Sequence, residues 1–330
     1  MSRASSTRST KRKRKDNDTT SDGPASPIAG PSTSSGAGVQ FERDAEFWLD
    51  DGNLVLIARN TGFRIYRGLL AAQSEVFRDM FASSSPSTGE CHDGCPVVYM
   101  SDSPEDLRRL LRVILPTTRR MFFPDDENQV DVSFNQVSAI VRLAHKYNIA
   151  DLEGQAFSAL KAYYTDSFDE HESAGFHSQV SFDDVHAIGA VNYARLANRL
   201  EILPYALYVC CGLRGDIVYG WEREDGTVEH LSPEDLKHCL DGRDALAREA
   251  MRLLPKVFVS TASDACEFPL DCCDSFSGVM QEVAIGDDAG SYAIFSSREG
   301  VIQEATHRYF ICALCEKLAI ERDREERENV

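Results

Sequence analysis

Phe63-Arg64-Ile65-Tyr66-Arg67-Gly68-Leu69-Leu70-Ala71-Ala72-Gln73-Ser74-Glu75-Val76-Phe77-Arg78-Asp79-Met80-Phe81 is the stretch that decides the fold. Its first four residues alternate between faces, the period of a strand. From Leu69 onward the apolar side chains recur at helical spacing instead. Leu69 and Leu70 mark one short helix, and Val76, Phe77, Met80 and Phe81 mark the next. Phe77, Met80 and Phe81 read as packed core: they specify a fold rather than a site.

Upstream, Gly52 to Ala58 reads GNLVLIA after an Asp-Asp-Gly turn. A short apolar run of this kind suits a buried strand, and Thr61-Gly62 turns it back into the strand at 63–66 as a hairpin. Downstream, residues 83–94 are a Ser/Pro/Gly loop, and Pro96 to Met100 predicts a third strand. Ser103-Pro104-Glu105-Asp106 then offers an N-cap hydroxyl, a proline at the first helical position and acids in the first turn. Leu107, Leu110, Leu111 and Ile114 give that helix one apolar face, and Pro116 ends it. Ser133 to Gln136 forms a capping box for a helix through Val137, Ile140, Val141, Ala144 and Tyr147. A further helix, Asp151 to Tyr164, closes the unit.

Order of this kind begins near Phe41. Residues 1–40 are Ser, Thr, Pro, Gly and charge, too poor in apolar surface to offset the entropy of ordering, and are expected to be a disordered basic tail. Residues 41–165 form the first folded unit, 166–180 a polar linker and 181–330 a mainly helical region. In that last region Ser181-Phe182-Asp183-Asp184 reads as a cap for a helix to about Leu200. Pro204 opens another, and Ser232-Pro233-Glu234-Asp235 a third. Ile217–Trp221 and Thr227–Leu231 flank Glu224-Asp225-Gly226 as a hairpin. The fold class is therefore α+β.

The order strand–strand–helix–helix–strand–helix–helix–helix, and the 63–81 run within it, resemble the BTB/POZ domain. In that family an F-x-V-H-K-x-x-L-A-A-x-S-x-x-F-x-x-M-F run follows an Asp-x-x-L/V-x-V strand, which here is Asp51 to Leu56. The resemblance implies a short sheet flanked by helices. A BTB domain followed by a cysteine-containing helical half is also similar to BTB proteins common in mushroom-forming fungi. Two positions depart from the family pattern. Tyr66 stands where the family usually has His, and only about a dozen residues of the ordered unit, FERDAEFWLDDG, precede the first expected strand, so the extra N-terminal helix and strand exchanged in some BTB dimers are expected to be missing. The resemblance implies protein binding, either self-association or recruitment of partners. Many BTB proteins bridge cullin-3 ubiquitin ligases to substrates through a hydrophobic-x-Glu motif in a mid-domain loop. The nearest match here is the partner loop Phe123-Pro124-Asp125.

The formal charge is −18. Residues 1–40 carry a net +4, which leaves −22 on the rest. A body that acidic repels phosphates, so no direct nucleic-acid binding is expected of it. No apolar run is long enough to span a membrane, and the polar first 30 residues are unlike a secretory signal. The expected location is nucleus or cytoplasm, where ten cysteines stay reduced. The run Lys11, Arg12, Lys13, Arg14, Lys15 reads either as a nuclear-import signal or as a solvated charge run.

The chain contains no G-x-x-x-x-G-K-[ST], G-x-G-x-x-G, G-x-S-x-G or H-E-x-x-H. Its eight histidines are scattered, and no enzyme is expected. The cysteines are the remaining constellation. Cys266 and Cys272 form a C-x5-C, and Cys312 and Cys315 a C-x-x-C about 40 residues later. Two such pairs admit a four-cysteine structural zinc site, or the pair at 312 and 315 simply lines a buried helix face. No other cofactor is implied. Cys91, His92 and Cys95 make a weaker cluster.

Overall fold

The computed structural model describes residues 40–83, 90–115, 132–174, 180–285, 291 and 293–330. The expected strands are present: β2 (Leu54–Ala58) and β3 (Thr61–Ile65) pair antiparallel, from Leu54 opposite Ile65 to Ala58 opposite Thr61. Two further strands widen the sheet, β1 (Glu42–Trp48) on one edge and β4 (Cys91–His92) beside β5 (Cys95–Met100) on the other. The order is β1-β3-β2-β5-β4, with β1 parallel to β3 and β5 parallel to β2. All five residues of β2 are buried, because this central strand is covered on both faces.

Helices α1 (Arg67–Gln73) and α2 (Glu75–Ser83) lie between β3 and β4. α3 (Pro104–Ile114) starts as its sequence foretells: the Ser103 side chain accepts the Asp106 N–H at 3.1 Å. A two-residue strand, β6 (Val132–Ser133), leads into α4 (Phe134–Lys146), where Ser133 accepts the Gln136 N–H at 3.3 Å. α5 (Ala150–Tyr163) and α6 (Phe168–Ala174) follow.

The second half begins with β7 (Val180–Ser181), which pairs parallel with β6 and so ties the backbone back to the first half. α7 (Ala187–Ala197) and α8 (Leu203–Gly212) precede a small hairpin, β8 (Trp221–Glu222) and β9 (Val228–Glu229). α9 (Pro233–Val257), capped by Ser232, is a single helix of 25 residues. α10 (Pro269–Ile285), α11 (Glu299–Tyr309) and α12 (Ala313–Glu328) complete the fold. This is the expected α+β arrangement of a short sheet flanked by helices, followed by a mostly helical region.

The main core runs across residue 165. It joins Leu56, Phe63 and Phe77 of the first half to Ile188, Val191, Cys210 and Trp221 of the second. Phe134 on α4 sits at the junction, stacked on His186 (centroids 4.5 Å apart) and edge-on to Phe182 and Trp221. A separate core holds the last helices together: Leu254 and Val257 of α9, Phe276 and Val279 of α10, Ile302 of α11, and Ala319 of α12. α9 bridges the two, since its Cys239 belongs to the main core.

Three local expectations are corrected. The segment before the 54–58 strand contains β1, which the sequence conceals because Glu42, Arg43, Asp44 and Glu46 surround its one fully buried apolar residue, Phe47. Charge of this kind belongs on an edge strand, where it blunts pairing with other chains. The buried Asp44 is paired with Arg108 at 2.7 Å. Residues Arg214–Tyr219, part of the expected hairpin, instead form a 3-10 turn whose Val218 and Tyr219 face solvent. The turn before α7 starts at Asp183 rather than Ser181, with the Asp183 N–H donating to Nδ1 of His186 at 2.8 Å.

Candidate functional site

Four sulfurs converge at the base of the last helices. Cys272 lies in the first turn of α10, Cys312 caps α12, Cys315 lies in the first turn of α12, and Cys266 comes from the loop before α10. Their Sγ atoms all lie within 4.8 Å of one another. Cys266 is 3.7 Å from Cys272 and 3.6 Å from Cys312. No other group of three or more His, Cys, Asp or Glu among the described residues is arranged to hold an ion. Cys272 and Cys315 are buried, while Cys266 and Cys312 are half-buried. The Ser263 N–H donates to the Cys315 sulfur at 3.3 Å, a contact that nothing in the residue type of Ser263 announces.

The electrostatics of the four are coupled. Burial pushes the Cys315 thiol up to about 12. Burial also acts to raise Cys312, but the Cys315 backbone N–H and the neighbouring thiols outweigh it and bring that group down to about 7. Two helix N-termini at the cluster favour negative charge there. The group can accommodate a thiolate at neutral pH.

The neighbouring Cys273 is not part of the cluster, being one residue further round α10. Cys91, His92 and Cys95 do not assemble: Cys95 is buried with its thiol donating to the Gly52 carbonyl at 3.2 Å, and His92 packs against Phe41 and Trp48. Lys11, Arg12, Lys13, Arg14 and Lys15, and the loop with Phe123 and Asp125, lie outside the described residues.

In the 63–81 segment, Ser74 is buried and caps α2, accepting the Phe77 N–H at 3.1 Å. Tyr66, in the place of the family's His, donates to Asp51 across the start of the hairpin. That hydrogen bond, with smaller contributions from burial and the Asp51 charge, raises the phenol.

The two halves also meet through charge. Arg142 on α4 pairs with Asp106 on α3 at 3.0 Å, and Arg223 in the β8–β9 hairpin reaches Glu229 at 3.4 Å and Asp106 at 3.9 Å. Arg59, just after β2, bonds Asp225 at 3.1 Å. This network was invisible in the sequence, since apart from Arg223 and Glu229 its paired members are 36 to 166 residues apart.

The first half is thus a short five-stranded sheet flanked by helices. Residues 50–164 match the family model of the BTB/POZ domain, and the chain is a BTB/POZ domain-containing protein. BTB domains are in general modules for protein–protein interaction. No curated protein matches the chain. No described helix is long and apolar enough to cross a membrane.

Proposed function

We propose that this protein works by binding other proteins through its BTB domain, a second copy of itself among them, and that it does so in the nucleus. The BTB match over residues 50–164 carries the reading. Nuclear action is supported by Lys11 to Lys15, five consecutive cations in a chain whose remainder is strongly acidic, the form of peptide read by an acidic import groove. Light scattering on the full-length chain tests self-association: a mass that stays at one chain over the whole concentration range refutes it. Replacing Lys11 to Lys15 by alanine should abolish nuclear accumulation of a fluorescent fusion, and unchanged localisation would refute import by this run.

A second reading, adaptor of a cullin-3 ligase, is favoured by Phe123-Pro124-Asp125 followed by Asp126 and Glu127. Cullin-3 recovered at near-stoichiometric yield with the tagged protein, and lost on Phe123→Ala with Asp125→Ala, would establish it. Recovery unaffected by the double substitution would remove the loop from the account.

A further inference from the structure

We propose that Cys266, Cys272, Cys312 and Cys315 bind one zinc ion as four thiolates and that this ion fastens the second core. A tetrahedral zinc with Zn–S distances of about 2.3 Å sets its sulfurs about 3.8 Å apart. Cys266 already lies 3.7 and 3.6 Å from two of the others, and none of the four is beyond 4.8 Å from another. The same spacing leaves no room for the inorganic core of an iron–sulfur cluster. It is also far longer than the roughly 2.05 Å of a disulfide.

The alternative is that the sulfurs are merely buried. Packing alone does not account for the position of the two loops that carry them. Phe268 is 62% exposed, Leu270 80% and Phe310 90%, so these segments turn their large apolar side chains outward. Apart from Ile311 and the small, half-buried Ala262, what they turn inward is sulfur. With Phe268, Leu270 and Phe310 facing water, the cysteines are the main inward anchors of these two segments.

The architecture around the site needs such a fastening. The second core is small, and it joins α9, α10, α11 and α12, including Cys272 and Cys315 themselves. Small cores are commonly completed by a metal or disulfides. Ligands from the 264–272 segment and from the start of α12 close a loop of about 40 residues, and the metal adds its binding free energy to folding. Binding releases the remaining thiol protons. Four protein thiolates fill the coordination shell, so the site is structural, with no open position for water.

The test is elemental analysis of the full-length chain purified without chelator under reducing conditions. One zinc per chain is expected. Cys312→Ser with Cys315→Ser should lose it, while Cys273→Ser, adjacent in sequence but outside the cluster, should retain it. Because the double variant can fail to fold, cobalt substitution of the wild-type chain supplies an independent measurement: thiolate-to-cobalt charge transfer and intense tetrahedral d–d bands are expected. Folded, reduced wild-type chain without zinc, with iron in its place, or with a cobalt spectrum lacking thiolate bands overturns the proposal. So does full zinc content in a folded double variant.

Discussion

The hydroxyl of Ser74 donates to the backbone carbonyl of Tyr147 while accepting the N–H of Phe77, so one buried oxygen caps α2 and joins it to the C-terminus of α4. The rings of Phe77 and Tyr147 stack beside it with centroids 4.3 Å apart. The serine in the 63–81 run is therefore a joint between two helices distant in sequence. Ser74→Ala removes a cap and leaves a buried carbonyl without its donor, and should cost about 1–3 kcal/mol. Urea unfolding measures it; a midpoint indistinguishable from wild type would show that the joint carries no stability.

Gly189, in the first turn of α7, faces the indole of Trp221. A Cβ at this position would stand 2.5 Å from one ring carbon and 3.2 Å from the ring of Phe134. Neither ring can retreat within the main core, and overpacking of this kind costs about 1–3 kcal/mol. Gly189→Ala should therefore destabilise the protein even though alanine is the better helix former. In a Trp221→Leu background the sign should reverse, because the helix then gains up to about 1 kcal/mol with no ring to meet. Thermal unfolding of the four proteins checks this. Destabilisation in both backgrounds would mean that the ring is not the obstacle.

The elements legible in the sequence were those determined locally. Ser103, Ser133 and Ser232 cap their helices as read, because a cap is a relation between residues three apart. The apolar run at 54–58 is a central strand because it has nothing polar to show solvent. β1 was missed because its pairing with β3 is set by an edge position, not by apolar alternation. Of the cysteines, the C-x-x-C could be read as half a site. Cys266 and Cys272 could be read as a second pair, but that the two pairs meet is a fact of how α10 meets α12, which spacing alone does not determine. The ionic contacts of Asp106 with Arg142 and Arg223 were unreadable for the same reason.

His186 links stability to pH. Burial holds its imidazolium form below the ordinary histidine range, with Asp183 opposing the shift. In the unfolded chain the ring takes a proton near pH 6.5 (about the ordinary value), whereas in the folded chain it stays neutral to lower pH. The unfolded state then binds more protons, so this contribution to stability is lost as pH falls through about 6.5 and levels off below the folded value. His186→Phe keeps a ring against Phe134 and removes the titration. Wild type minus variant, in urea midpoints from about pH 7.5 down to about pH 5, should decline on acidification. Parallel curves would assign the acid sensitivity to other groups.

Asp323 and Arg327 form a buried ion pair at 2.9 Å on one turn of α12, with side chains only 2% and 3% exposed. Asp323 also accepts from the Arg298 guanidinium at 3.0 Å and from the Arg298 backbone N–H at 3.1 Å, at the entrance to α11. Arg327 in turn reaches Glu172 on α6 and the carbonyl of Phe295. Two guanidinium groups thus share one buried carboxylate, only Arg327 having a second in Glu172, and Asp323→Ala should cost about 3 kcal/mol by leaving buried charge under-compensated. Replacing Arg327 by methionine in the same chain removes one of the stranded charges and should recover part of that loss, since apolar replacement of a whole buried pair is often tolerated. Denaturant unfolding of the two single variants and the double variant gives the coupling directly. If the double variant is less stable than either single, by the sum of their effects, the pair does not act as a unit and the carboxylate's role lies with Arg298 alone.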